Sequence, residues 1–294
     1  MKQKEVFMND YVIITDSSCD LPAAKAKELG VHVIPLEVNL EGIGTKMNDE
    51  IDIKEFYEFL RSKKSAKTSA VNMDRFAECF ENYLKEGKDV LYVGFSSGLS
   101  ATFMAGKNAA EELSEKYPER RVIAVDSLCA SLGQGLIVYH AVCKKNSGAT
   151  IEETAKFVED IKLNLCHWFT VDDLFFLKRG GRVSGATAVL GTMLSIKPVM
   201  HVDDEGHLIN VQKARGRGAA ITALFDKMRD TAIDPESQVV YISHGDCYDD
   251  AKKLADMIEK EFGIKEILIN EVGPVIGAHS GPGTLALFFL GTKR

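Results

Sequence analysis

The sequence predicts an α/β fold in two domains: an N-terminal parallel-sheet α/β domain, then a C-terminal α/β domain with a hairpin, with a ligand between them. Three observations carry this. A short apolar run, a small polar turn and a helix recur three times in the first half, the signature of parallel strands joined by crossover helices. Ser, Asp or Pro stands where each helix should start. After Gly148 the pattern changes, with a basic Gly-containing turn and a hairpin-like pair of strands.

In order, Tyr11–Ile14 reads as a strand ending in Thr15-Asp16-Ser17-Ser18, after which Asp20-Leu21-Pro22 opens a helix that stops at Gly30. Lys67-Thr68-Ser69 precedes a helix from Asp74, and a Thr or Ser cap is its plainest explanation. Val90–Val93 ends in Gly94-Phe95-Ser96-Ser97-Gly98, with a helix from about Ser100. Arg121–Val125 ends in Asp126-Ser127, with a helix from near Ala130. Thr150–Leu163 has the apolar spacing of an amphipathic helix, and His167–Val171 reads as a strand. Lys178-Arg179-Gly180-Gly181-Arg182 then interrupts the pattern, and Ala186–Leu194 is small and apolar. Pro198–Val202 and His207–Val211 flank Asp203-Asp204-Glu205-Gly206, a hairpin-type turn. Gly218–Asp230 and Asp249–Phe262 read as helices, Gln238–Ser243 and Glu266–Asn270 as strands. The boundary is expected near Leu165, dividing the chain into 1–164 and 165–294.

The arrangement has a geometric consequence. The C-terminal ends of parallel strands lie along one edge, where ligands bind. The Ser-rich turns should face that edge, and hydroxyls with helix N-termini make an anion site. A net charge of −7 argues against nucleic acid as the main partner. Six scattered cysteines include no C-x-x-C pair, so no zinc or thioredoxin-like site is expected. No run approaches a membrane span or signal peptide, and the cytoplasm is the simplest location. Residues before Tyr11 read as an unstructured extension.

Gly94–Gly98 fits the G-x-S-x-G nucleophile elbow, and Ser96, Asp246 and His279 occur in hydrolase order. No HGGG-type oxyanion motif precedes the strand, so a serine hydrolase of lipid esters using Ser96 and His279 is carried as an alternative. A phosphate- or sugar-binding module is another. The Gly-rich stretch Gly273–Thr284 surrounds His279, and no ligand-spaced partner suggests a metal there. The two basic spots, Lys178–Arg182 and Lys213–Arg217, suit either an acidic or phosphorylated partner or a solvated surface.

Taken together, the segments TDSSCDLP (15–22), KTS (67–69), SSGLSAT (96–102), DSLCASLGQG (126–135), LKRGGRVSG (177–185), IKPV (196–199), KARGRGAA (213–220) and GPVIGAHSGPG (273–283) resemble the DegV family, fatty acid-binding proteins of bacteria. The resemblance runs from about Tyr11 to the C-terminus, with the motifs in family order. It implies one long-chain fatty acid buried between two α/β domains. It also implies a protein that is not itself an enzyme and needs no cofactor. A separate fatty acid kinase would make acyl-phosphate for phospholipid synthesis, without stable membrane insertion of the carrier. By the same resemblance, Thr68 and Ser100 hold the carboxylate and His279 lies near it. Ser69 and Ser97 are further candidates in the ligand loops, and Arg215 faces the kinase. The family's T-S-Q-P is T-S-A-V here and its L-S-G-T is L-S-A-T, changes that keep the hydroxyls. The acyl chain would be lined by Ala186–Leu194 and Leu285–Phe289.

Overall fold

The computed structural model describes residues 10–183 and 196–294. Its first sheet is parallel and contains β1 (Tyr11–Asp16), β2 (His32–Ile34), β6 (Asp89–Gly94) and β7 (Val122–Asp126), in the order β2-β1-β6-β7. A small antiparallel sheet joins β3 (Glu37–Leu40) to β4 (Gly44–Met47) and β5 (Ala66–Ser69). The third sheet is mixed. It holds β8 (Leu165–Thr170), β9 (Ile196–Val202), β10 (Leu208–Arg215), β11 (Val239–His244), β12 (Glu266–Glu271) and β13 (Leu285–Leu290), ordered β10-β9-β8-β13-β11-β12.

β1 and β6 are buried along their whole length. Their near-continuous apolar runs follow from a parallel sheet covered on both faces. The chain leaves β1 for β2 on one side and returns to β6 and β7 on the other. The switch point is therefore between β1 and β6, where an open α/β sheet forms a crevice. Asp16 closes β1 there, fully buried. Its carboxylate accepts from Ser18 N–H at 3.1 Å, Tyr92 O–H at 3.0 Å, Phe95 N–H at 3.1 Å and Gln134 Nε2 at 3.1 Å.

The helices of the first half are α1 (Ala23–Glu28), α2 (Ile53–Arg61), α3 (Met73–Lys85), α4 (Thr102–Lys116), α5 (Leu132–Asn146) and α6 (Ile151–Ile161). α6 starts with a reciprocal capping box between Thr150 and Glu153, as its sequence dictates. Thr68 is not a helix cap. It lies in β5, and Asn72 caps α3 by accepting from Arg75 N–H at 3.0 Å.

The later helices are α7 (Leu174–Arg179), α8 (Gly216–Thr231), α9 (Tyr248–Phe262) and α10 (Pro274–Ser280). The hairpin forms as read, β9 against β10 with a bulge near Asn210 to Gln212. Pro198 is tolerated because β9 pairs with β8 only at His201 and Met200, so its missing N–H leaves no ladder bond unmade.

α5 is shared between the sheets: Leu136 and Ile137 join one core with Leu91 and Val93 of β6 and Tyr241 and Phe288 of the mixed sheet. α10 also crosses between the halves. Its Val275 and Ala278 enter the core of Phe56 and Tyr57, and Tyr57 O–H donates to Val272 C=O at 2.7 Å. A Cβ at Gly277 would stand 2.9 Å from both Phe56 and Tyr57, which explains a glycine inside this helix. The stretch Ala186–Leu194 lies outside the described residues. Leu285–Leu290 is an internal strand whose faces divide: Ala286 and Phe288 face the shared core, and Leu285, Leu287 and Phe289 the far one.

Candidate functional site

Between the parallel and mixed sheets is a cavity of about 280 Å³, close to the lower end of the roughly 300–1,000 Å³ usual for ligand pockets. The turns after β1, β6 and β7 all reach it, through Ser18, Ser100 and Ser131. The expectation that the three Ser-rich turns share one edge is therefore met. The mixed sheet and α7 supply Phe169, Phe288 and Leu177, α10 supplies Val275, and the β6 turn adds Phe95 and Leu99. The exposed surface of the walls is chiefly apolar, with serine, threonine, histidine and arginine side chains set among the apolar ones.

Thr68, Ser69, Ser100 and His279 line this one cavity, although they are far apart in sequence. Thr68 Oγ1 and His279 Nε2 are 2.7 Å apart. Burial, followed by the nearby charges of Arg182 and Arg179, pulls the His279 imidazole down to about 4, so it is neutral at pH 7. Its Nδ1 is buried without a partner among the described residues and faces Gly180, where a Cβ would collide with the ring. The glycine of the basic turn is thus a close approach to the histidine. Ser100 Oγ accepts from Thr102 N–H at 3.2 Å and lies 2.9 Å from Thr102 Oγ1, fixing the hydroxyl at the start of α4.

The hydrolase constellation is not assembled. Ser96 is fully buried, and its hydroxyl donates to Gly206 C=O at 2.9 Å and accepts from Gly98 N–H at 3.2 Å. Asp246 pairs with Arg61, and His279 is occupied with Thr68. Ser96 fastens the β6 turn to the β9–β10 hairpin. Ser96→Ala is expected to lower stability by about 1–2 kcal/mol, measured by urea denaturation. A variant as stable as the parent would contradict the fastening role.

The DegV family, carrying the description "Uncharacterised protein, DegV family", matches residues 10–292. The chain belongs to the DegV family. A DegV domain-containing protein of Clostridium perfringens is 46% identical over 98% of this chain and 99% of its own. Among solved structures, a DegV family protein of Thermus thermophilus described by its fatty acid binding is 32% identical, with a TM-score of 0.85 over 95% of this chain and 98% of that one. DegV of Bacillus subtilis, described as a fatty acid-binding protein, is 28% identical with a TM-score of 0.82 over the same shares. The α/β fold, with its parallel N-terminal and mixed C-terminal sheets, is that of these DegV proteins.

Of the other residues that the DegV resemblance or charge singled out, Ser97 is exposed, does not line the cavity, and donates its N–H to Asp126 at 3.2 Å. The four arginines of the two basic spots separate. Arg182 turns into the cavity wall, donating from Nε to Leu99 C=O at 3.2 Å and from its guanidinium to Gly180 C=O. Arg217 is committed to Asp250 at 2.7 Å and to Gly283 C=O at 2.7 Å, which removes it from any docking surface. Arg179 lies over Phe176, 4.9 Å from the ring centre. Arg215 ends β10, exposed and without an ion pair among the described residues. Sequence reasoning missed Arg182 as a site residue because its basic neighbours gave no sign of which side chain turns inward. Among the described residues no group of three or more His, Cys, Asp or Glu is placed for a metal ion. No described helix is long and apolar enough to cross a membrane.

Proposed function

We propose that the protein binds one long-chain fatty acid in this cavity and, without catalysing a reaction itself, presents it in the cytoplasm to a separate fatty acid kinase. That kinase forms the acyl-phosphate used in phospholipid synthesis. Residues 1–164 carry the carboxylate-binding loops, and residues 165–294 close over the acyl chain. One observation carries the reading: the Thr68–His279 hydrogen bond stands with Ser100 and Arg182 in a cavity that also presents the apolar side chains of Phe95, Leu99, Phe169, Leu177, Val275 and Phe288. If His279 donates from Nε2, Thr68 is left to give its own hydroxyl proton to a carboxylate. Ser100 supplies a second hydroxyl and Arg182 a positive charge. The tail provides most of the affinity, about 0.8 kcal/mol per buried CH₂, and the head group fixes its direction. The fatty acids described for the Thermus and Bacillus relatives support the same ligand here.

Denaturing extraction and mass spectrometry of the purified protein test this, with one long-chain fatty acid per chain expected. A phosphorylated small molecule instead would favour the phosphate- or sugar-binding reading. Ester cleavage by lipid-free protein, abolished by Ser96→Ala, would favour the hydrolase.

The kinase-facing surface is assigned to Arg215, which is exposed and has no ion pair among the described residues, beside the committed Arg217. Arg215→Ala is expected to retain fatty acid binding and to lower acyl-phosphate formation several-fold, most at low salt, where charge steering is strongest. Lipid binding and kinase turnover are measured on the same preparation. Equal losses in both would place Arg215 in the fold or pocket instead, and no loss in either would leave it a solvated charge.

A further inference from the structure

The segment Thr15–Pro22 holds an acid that the head-group site does not use. Asp20 follows β1, is buried, and stands where several elements meet. Its Oδ2 accepts from Ser131 Oγ at 2.6 Å, just before α5, and its Oδ1 from Gly273 N–H at 3.0 Å, just before α10. Its C=O accepts from Asn270 Nδ2 of β12 at 2.8 Å. A carboxyl taken out of water is costly unless its oxygens are paired, and burial pushes this one up to about 7.

Gly273 records the contact in the sequence. Its φ of −67° and ψ of 167° suit any residue, so the backbone does not call for glycine there. A Cβ at 273 would stand 2.6 Å from Asp20 Oδ1. The glycine makes room for the carboxylate.

α10 has no side-chain cap of its own, and the first half of the chain holds its start. Asp20 takes Gly273 N–H, Asn48 Oδ1 accepts from Val275 N–H at 3.1 Å, and Tyr57 donates to Val272 C=O. Asp20 brings the carboxylate to this set, and hydrogen bonds to an ionised group are the strong ones. His279 lies six residues beyond Gly273, roughly 9 Å along the helix axis. A tilt of about 10° at the clamped end moves the ring by roughly 1.6 Å. That takes the 2.7 Å contact between Thr68 and His279 beyond hydrogen-bonding length.

We propose that Asp20 is a positioning residue of the fatty acid site: it clamps the start of α10 to the first half of the chain and so sets His279 against Thr68 for the carboxylate. Asp20 does not line the cavity and acts through the helix. The proposal rests on the reading that a fatty acid fills this cavity.

The test uses lipid-stripped full-length protein, with palmitic acid competing against a fluorescent fatty acid. Asp20→Ala and Gly273→Ala should each weaken palmitic acid binding about tenfold. Asp20→Asn should restore most of the loss, because an amide oxygen still accepts from Gly273 N–H while its NH₂ donates to Ser131. NMR of the His279 ring separates position from general stability. In the parent, burial and then Arg182 and Arg179 hold the imidazole down at about 4, so it should not titrate between pH 5 and 8. In Asp20→Ala and Gly273→Ala it should enter that window. Loss of the Asp20 charge by itself would push the ring further down, so an upward move reports displacement. If Asp20→Ala fails to fold, Gly273→Ala decides. Either folded alanine variant binding like the parent, an affinity loss with the ring unmoved, or Asp20→Asn binding as weakly as Asp20→Ala overturns the proposal. A parent that binds no palmitic acid, with the ring still shifting in the variants, overturns the fatty acid reading and leaves the clamp standing.

Discussion

Replacing Thr68 and Ser100 together by alanine is expected to weaken long-chain fatty acid binding by roughly a hundredfold while the protein stays folded. Each hydroxyl would make a charge-assisted hydrogen bond to the carboxylate, worth about 1.5–3 kcal/mol, or tenfold to a hundredfold in affinity. The two bonds share one carboxylate, so the losses combine less than additively. Thr68→Ala also strips His279 Nε2 of its 2.7 Å partner, and Thr68→Ser should restore most of the lost affinity. Ser100→Ala frees Thr102 N–H, which costs about 1 kcal/mol of stability as a lost hydrogen bond. Ser96→Ala, outside the cavity, is the control expected to bind like the parent. A silent double variant, or a Ser96→Ala protein that no longer binds, would contradict the head-group assignment.

The largest effect on stability is expected at Asp16. Its carboxylate accepts from four donors in the buried switch point, Ser18 N–H, Tyr92 O–H, Phe95 N–H and Gln134 Nε2. Asp16→Ala leaves all four without that acceptor where water does not reach. Buried donors left unsatisfied cost about 1–3 kcal/mol each, so the loss is about 4 kcal/mol, or roughly 10 °C in Tm for a chain of this size. Asp16→Asn is milder, because an amide oxygen in place of Oδ2 still serves Tyr92, Phe95 and Gln134. The turns that Asp16 organises carry Ser18 and Phe95 into the cavity, so affinity should fall along with stability. Urea denaturation of the two variants checks the order. An Asp16→Ala protein that unfolds at the parent's midpoint would contradict the account.

The strands of the parallel sheet are legible because their burial on both faces demands the apolar runs that β1 and β6 display. The helices after them announce themselves through caps, as Thr150 and Glu153 do. The small sheet is not legible. β4 is almost wholly exposed and β3 is only four residues long, so neither imposes a period. α10 was hidden by Gly277, whose reason is the contact with Phe56 and Tyr57 rather than any turn. At the site, the family motifs bring Thr68, Ser100 and His279 forward as a set, and the fold gathers them in one cavity. The arginines show the opposite case. Arg182, Arg215 and Arg217 stand in similar basic Gly-containing segments, yet one lines the cavity, one is exposed and one is held by Asp250. Their different roles depend on partners remote in sequence. Ser96 likewise carries an elbow pattern whose hydroxyl is spent on Gly206.

The most direct measurement is a crystal structure of the full-length protein grown with palmitic acid. The account predicts the carboxylate within hydrogen-bonding distance of Thr68 Oγ1 and Ser100 Oγ, with His279 still on Thr68 and the tail running between Phe169, Leu177 and Phe288. A cavity without palmitate, or a chain bound with its carboxylate away from Thr68 and Ser100, would contradict it.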